Sequence, residues 1–371
     1  MRFAPRSDCG VIERFREFLP PCETVVSLGE GGTPLVFSPN LSARIGRGCE
    51  VFVKNEGMNP TGSFKDRGMT VAVSRALDRG VRALICASTG NTSASAAAYA
   101  ARAGIPCAVV LPAGKIATGK LVQAIAHGAK IVPVDGNFDD ALRIVRELGE
   151  EKEFAIVNSI NPDRIAGQKT AAFEIIDDLG DAPDFHLLPV GNAGNITAYW
   201  AGYREFHERG KAASDQATAP KSTKLPAMIG FQAFGAAPIV HNRVVENPET
   251  IASAIRIGNP ASWKQARAAL DESKGAIDVV TDEEILTAQS WLAQMEGIFV
   301  EPASAASIAG FFKCCTPQVG VGTLVQVPDG SRIVCTVTGH GLKDPDVILS
   351  RVSPLERIAP EIDKVRRAIG F

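Results

Sequence analysis

Lys65, in the segment NEGMNPTGSFKDRG (55–68), stands where helix electrostatics would not put a lysine. Pro60 and Gly62 mark a turn, Ser63 reads as the N-cap of the following helix, and Lys65 falls in its first turn. Cations are favoured at the opposite end of a helix. An ε-amine, ordinarily with a pKa of ~10.4, can condense with an aldehyde to a Schiff base when kept neutral, and can act as a base once released. The positive end of the helix dipole and the neighbouring Arg67 both favour that neutral amine. A solvated surface lysine is the plain alternative.

Two further segments are rich in small polar residues. In ASTGNTSAS (87–95), Asn91 or Thr92 is placed as a helix N-cap, with the hydroxyls of Ser88, Thr89 and Thr92 and several backbone N–H groups facing any bound anion. A carboxylate would fit there, although capping alone accounts for the same residues. In PVGNAGNITA (189–198), Gly191, Asn192, Ala193, Gly194 and Asn195 form a small-residue cup that suits a phosphate. A tight turn explains those glycines equally well. No Gly-x-Gly is followed by the third glycine of a dinucleotide fingerprint, and no Gly-Lys pair is followed by Ser or Thr. A phosphate cup without a nucleotide signature points to another phosphorylated ligand, such as a cofactor.

Such junctions require strands that end at helix N-termini. From about residue 50 onward, apolar runs alternate with Ala-rich helical patterns, the signature of an α/β protein with largely parallel sheets covered by helices. The predicted strands are 50–54, 81–87, 106–112, 129–134, 154–158, 185–190, 227–233 and 332–338. The predicted helices are 64–79, 91–103, 117–127, 138–149, 164–179, 195–209, 282–295 and 303–313, with Gly104 and Gly128 as helix-ending glycines. EPASAAS (301–307) reads as a helix start with Pro302 in the first turn, with a position near the ring of a bound cofactor as the alternative. Residues 211–224 read as a mobile surface loop, and 354–371 as a closing amphipathic helix that packs Leu355, Ile358, Ile362, Val365 and Ile369 into the core.

The 371 residues carry 39 Lys plus Arg against 41 Asp plus Glu, a net charge of −2, which leaves no basic footprint for nucleic acid or an anionic membrane. The longest uncharged stretches are broken by polar residues and predict buried segments rather than membrane spans. The N-terminus has no apolar core of a secretory signal. Eight cysteines without CxxC pairs and five histidines without HExxH spacing predict no metal site and a reducing cytoplasm.

NPTGSFKDRG, ASTGNTSASAAAYAARAG, NSINPDRIAGQKT (158–170), GNAGN and TGHGLKDP (338–345) together resemble the threonine synthases, over nearly the whole chain. SFKDRG and the glycine cup are shared with other fold type II pyridoxal-phosphate enzymes of the tryptophan synthase β group, whereas NSINPDRIAGQKT and TGHGLKDP narrow the resemblance. It implies two three-layer α/β domains, a smaller mobile one over 57–163 and a larger cofactor-binding one from 1–56 and 164–371, in a homodimer. It also implies that Lys65 carries pyridoxal 5′-phosphate, that Gly191 to Asn195 hold its phosphate, and that Asn91 and Thr338 bond its phenolic oxygen and ring nitrogen. Ser88, Thr89 and Thr92 would take the substrate carboxylate, and Asn158, Ser159 and Arg164 the substrate phosphate. The implied reaction converts O-phospho-L-homoserine and water to L-threonine and phosphate, with Lys65 moving the protons. Asn55, Phe234 and the long 211–224 segment depart from the family pattern away from these residues. A same-fold threonine or serine dehydratase and an inactive phospholigand-binding regulator are the competing readings. A dehydratase has no need of an arginine for a substrate phosphate, and the presence of Lys65, Thr338 and Arg164 together argues against an inactive protein.

Overall fold

Each of the eight apolar runs forms a strand, and among the described residues two further strands join them. The computed structural model describes residues 9–113, 118–136, 138–159, 161–212, 222–315, 324–351 and 357–370. Helices α1 (Val11–Arg14) and α2 (Pro39–Ile45) flank β1 (Leu35–Phe37), and β2 (Glu50–Asn55) leads to α3 (Lys65–Asp78). Next come β3 (Ala83–Cys86), α4 (Asn91–Ala103), β4 (Cys107–Pro112), α5 (Thr118–Ala126), β5 (Lys130–Val134), α6 (Phe138–Leu148) and β6 (Phe154–Ile156). After α7 (Pro162–Gln168) and α8 (Thr170–Leu179) follow β7 (Phe185–Pro189), α9 (Gly194–Ala212), β8 (Ala227–Ala233), α10 (Pro238–His241), α11 (Trp263–Glu272) and β9 (Ala276–Val280). The chain continues through α12 (Asp282–Glu296), α13 (Pro302–Cys315), β10 (Arg332–Val337), α14 (Asp346–Leu349) and α15 (Ile362–Ala368).

The strands make two sheets, one in the order β1-β2-β10-β7-β8-β9 and one in the order β5-β4-β3-β6. All pairs are parallel except β1 with β2. Successive strand residues face opposite sides, so Leu187 and Leu188 of β7 enter different apolar cores on the two faces of the larger sheet. Leu84 and Ile85 do the same across the smaller one. Central strands buried on both faces were therefore readable as continuous apolar runs. The two unpredicted strands are edges: β1 has only three residues, and β9 is interrupted by Asp278.

The predicted helix over 164–179 is two helices that meet at Lys169. Tertiary contact explains the break, because α7 lies against α3 and α8 against α9. The α3–α7 contact depends on two glycines. A Cβ on Gly68 would lie 2.6 Å from the Arg164 carbonyl oxygen, and one on Gly167 would lie 2.0 Å from that of Arg67. Only residues without a Cβ permit that approach. In the described part of the C-terminal segment the apolar face does not enter the core. Ile358, Ile362, Val365 and Ile369 are all exposed, so helical spacing there does not mark core packing, while Leu355 lies outside the described residues. Residues 213–221 of the predicted loop also lie outside them.

Candidate active site

The loop that precedes Lys65 pairs with the segment that follows β10. Phe64 N donates to Thr338 O at 3.0 Å, His340 N donates to Gly62 O at 2.9 Å, and Ser63 bridges Gly339. Gly62 takes φ +81°, which suits a residue without a Cβ. These contacts bring Lys65, on one sheet's flanking helix, beside Thr338, at the end of a central strand of the other. Lys65 is the first residue of α3, but the cap differs from expectation. Phe64 occupies the cap position without a side-chain bond, and the buried Ser63 hydroxyl has no hydrogen-bond partner.

Lys65 keeps partial exposure, yet burial of its amine lowers the pKa to about 7, assisted by the Arg164 cation and opposed by Glu301. The amine is therefore available in neutral form near neutral pH. Its Nζ also lies 4.2 Å from the centroid of the Phe64 ring. The neighbouring Arg67 serves the framework instead. Its Nε donates to Glu56 Oε2 at 2.7 Å and its Nη2 to Glu174 Oε2 at 2.6 Å, with Lys54 Nζ 2.8 Å from the same Glu174 oxygen. All four side chains are buried, and the network ties α3 to β2 and α8. Asp66 accepts from Thr61 N, Thr61 Oγ1 and Ser95 Oγ, tying α3 to α4; burial pushes its carboxyl up to about 6 despite those bonds.

Asn91 is the first residue of α4, whose cap is Gly90, so neither Asn91 nor Thr92 is the N-cap. Asn91 Nδ2 donates to both oxygens of Glu301, at 2.9 and 3.2 Å. Burial raises the Glu301 carboxyl to about 7, against the pull of Lys343 and of the Asn91 bond. Thr338 is 5% exposed and contacts Ser304, whose oxygen accepts Thr338 N and Gly339 N. Thr92 is buried, whereas Ser88 and Thr89 are partly open beside it. The first N–H groups of α4 have no intrahelical partner, which leaves donors for an anion.

The cup from Gly191 to Asn195 ends β7 and starts the 19-residue α9. Ala193 adopts φ +63°, and among the described residues the buried Asn195 Nδ2 has no partner, an unused donor at a helix N-terminus. Arg164 is 0% exposed. Its Nη1 donates to Val157 O at 2.6 Å, but among the described residues Nε and Nη2 have no hydrogen-bond partner. Burial lowers its pKa to about 10, so the guanidinium remains charged at neutral pH. Asn158 exchanges two bonds with the Ala87 backbone, at 3.1 and 3.0 Å, which holds the end of β6 against the loop after β3 and leaves one amide hydrogen uncommitted. Ser159 lies partly buried at the end of the same segment.

The family described as "Pyridoxal-phosphate dependent enzyme" matches residues 26–339. The chain belongs to that family. It is 57% identical over 352 residues to the threonine synthase of Mycobacterium bovis, covering 93% of this chain and 92% of that one. It is 55% identical over 353 residues to the threonine synthase of Halalkalibacterium halodurans, covering 95% and 94%. In fold it is similar to a solved O-ureido-L-serine synthase, with a TM-score of 0.71 at 19% identity over 91% and 98% of the two chains. Pyridoxal phosphate is thus the cofactor, and the fold is that of the fold type II enzymes. The donor set fits this group: a burial-neutralised lysine for the aldehyde, an unused buried amide and helix N–H groups for a phosphate, and polar side chains at Asn91 and Thr338 for ring atoms.

Among the described residues no cluster of three or more His, Cys, Asp or Glu is placed to hold a metal, and no helix is long and apolar enough to cross a membrane. His186 sits in the core, where Nε2 contacts Thr336 Oγ1 at 2.7 Å and burial drives its pKa down to about 3. His207 contacts the Ser222 carbonyl, whereas His127 and His241 are exposed. His340 caps the short turn after Gly339 and accepts from Leu342 N. Glu301 and Ser304 were not named as site residues. The string EPASAAS that holds them carried two readings, a place near the cofactor ring and a plain helix start, and the residue types did not decide between them.

Proposed function

We propose that this chain is a threonine synthase, converting O-phospho-L-homoserine and water to L-threonine and phosphate. The observation that carries the reading is Arg164, a charged, fully buried guanidinium with two nitrogens lacking partners among the described residues, close enough to Lys65 to depress its pKa. A buried unpaired cation is costly unless a ligand completes it. A planar guanidinium can meet a phosphate bidentately. A dehydratase of the same fold has no substrate phosphate for it to meet.

In this reading Lys65 binds the cofactor aldehyde, Gly191 to Asn195 hold its phosphate, Asn91 faces its phenolic oxygen and Thr338 its ring nitrogen. When bound, the cofactor delocalises the negative charge left on the amino-acid carbon after a proton is removed. The chain's own residues do the rest. Lys65 Nζ takes a proton from Cα and hands it on to the conjugated framework, so the amine is neutral again when it takes one from Cβ. It returns that proton to Cγ after phosphate leaves with the Cγ–O bonding pair. A proton is restored to Cα once the oxygen of water has bonded to Cβ and its proton has passed to the released phosphate. Ser88, Thr89 and Thr92, with the α4 N-terminus, hold the substrate carboxylate. Arg164, helped by Asn158 and Ser159, grips the phosphate and retains it while water adds at Cβ. The 57–163 segment, with the four-stranded sheet, closes as a unit over the 1–56 and 164–371 remainder to exclude bulk water.

A homodimer in the cytoplasm completes the reading. Exposed Leu342, Leu349 and Ile362 supply apolar surface for association, and Cys22, Cys49, Cys86, Cys107 and Cys314 remain free thiols as a reducing compartment would keep them. The deciding experiment offers O-phosphohomoserine to the purified enzyme and measures phosphate and threonine together. Equal yields are expected. Phosphate without threonine, or α-ketobutyrate from added threonine, would replace the reading with an eliminating enzyme of the same fold, such as a dehydratase.

A further inference from the structure

Two side chains one turn apart at the start of α13, Glu301 and Ser304, touch the polar groups of Asn91 and Thr338. The Ser304 hydroxyl oxygen accepts the backbone N–H groups of Thr338, at 3.0 Å, and Gly339, at 2.7 Å. Those bonds occupy both of its lone pairs. It therefore has no capacity left to accept from the Thr338 hydroxyl 2.9 Å away. Its own proton goes either to Thr338 Oγ1 or to Gly339 O at 3.2 Å. In both cases the Thr338 proton is turned away from Ser304 and is left for an acceptor in the cleft.

Glu301 acts similarly on Asn91. An ionised carboxylate can face only the NH2 end of an amide, because the amide oxygen would repel it. With both Glu301 oxygens near Asn91 Nδ2, one N–H is engaged, and in its ionised form, which prevails above about pH 7, the carboxylate holds the amide against a flip. The second N–H remains for another partner. Glu301 itself is buried, and its oxygens press so closely on Gly339 that a Cβ there would lie 2.4 Å from Oε1. The carboxylate has little room to swing away.

We propose that Glu301 and Ser304 are positioning residues that set the hydrogen-bond polarity of the cofactor site. Ser304 aims the Thr338 proton into the cleft, and Glu301 aims the free N–H of Asn91, so that both ends of the cofactor ring meet donors. The ring nitrogen then accepts a hydrogen bond without taking a proton. This rests on the cofactor placement proposed above.

The test uses holoenzyme loaded with 15N-labelled pyridoxal phosphate, with two readouts besides activity: the ring-nitrogen chemical shift and the balance of the two absorption bands of the lysine-bound cofactor. Ser304→Ala should move the nitrogen resonance toward unbonded pyridine and raise the cofactor dissociation constant about tenfold, roughly the loss of one hydrogen bond. Glu301→Ala should shift the absorption balance away from the phenolate form and leave the ring nitrogen unmoved. The doubles Ser304→Ala/Thr338→Ala and Glu301→Ala/Asn91→Ala should match Thr338→Ala and Asn91→Ala, because nothing remains to position. Glu301→Gln, which keeps an acceptor oxygen for Asn91, should recover the wild-type balance. Glu301→Ser, too short to reach Asn91, repeats the test where the alanine variant does not fold. Additive effects, or wild-type spectra in Ser304→Ala and Glu301→Ala when the Thr338 and Asn91 variants shift them, would overturn the proposal and leave the placement standing. Unchanged spectra in Thr338→Ala and Asn91→Ala would refute the placement, and the proposal with it.

Discussion

Replacing Arg164 with methionine should separate stability from function. The side chain is fully buried, makes one bond to Val157 O, and carries a charge whose other two nitrogens have no partners among the described residues. Its pKa falls from 12.5 to about 10. At 1.36 kcal/mol per pKa unit, burial disfavours the charged form by roughly 3 kcal/mol. The sign follows from linkage: at neutral pH the folded and unfolded states both bind this proton, so the penalty is fully present there and is relieved only as pH rises through about 10. Methionine removes the penalty and the Val157 bond, itself worth about 1.5 to 3 kcal/mol. The two changes nearly cancel, so urea unfolding of the cofactor-loaded variant should lie within about 1 to 2 kcal/mol of wild type. Function should not cancel. Loss of two charge-assisted bonds to phosphate, at about 1.5 to 3 kcal/mol each, predicts a fall in kcat/KM for O-phosphohomoserine of roughly 100- to 10,000-fold, with cofactor colour intact. A variant several kcal/mol less stable with unchanged kcat/KM would show that Arg164 is a structural strut.

Two further predictions follow from the charges around Lys65. The Lys65 amine in cofactor-free protein should react with an acylating probe with a midpoint near pH 7, neutral above it, and Arg164→Met should move that midpoint upward by removing a repelling cation; a wild-type midpoint near 10 would show that the amine is solvated. Because the folded pKa lies below the ordinary 10.5, the folded state binds fewer protons between about 7 and 10.5, and this group's contribution to stability rises with pH across that window. Arg67→Met should destabilise by about 3 to 5 kcal/mol in urea, since it leaves Glu56 and Glu174 buried without their principal cation. Burial would push the Glu174 carboxyl up, but Arg67 and Lys54 override it and hold it well below the usual range, so the loss should be full at neutral pH and shrink in strong acid. A loss under about 1 kcal/mol would mean that Lys54 alone satisfies the network.

Local residue chemistry made much of the site legible. Lys65 was recognisable because a cation in the first turn opposes the helix dipole, and the 191–195 cup because glycines and asparagines crowd one strand-to-helix turn. The caps were not legible in detail. Ser63, Asn91 and Thr92 all have good capping side chains, yet Phe64 and Gly90 occupy the cap positions, because contacts with Gly339 and Glu301 claim the surrounding backbone and the Asn91 amide. The C-terminal apolar spacing likewise failed to mean burial, since periodicity shows that a helix has an apolar face but not what lies against it.

By itself the sequence determined the alternation of strands and helices, the central strands buried on both faces, and the family resemblance carried by five ordered motifs. These are local or periodic properties that a chain displays before it folds. Tertiary structure alone decided that α7 breaks from α8 to meet α3, that Gly68 and Gly167 let those helices approach, and that Arg164 lies buried near Lys65 without a full set of partners. It also set Glu301 and Ser304 against Asn91 and Thr338 across long sequence separations. Burial and hydrogen-bond polarity arise from what surrounds a group in space, and no spacing of residues along the chain encodes them directly.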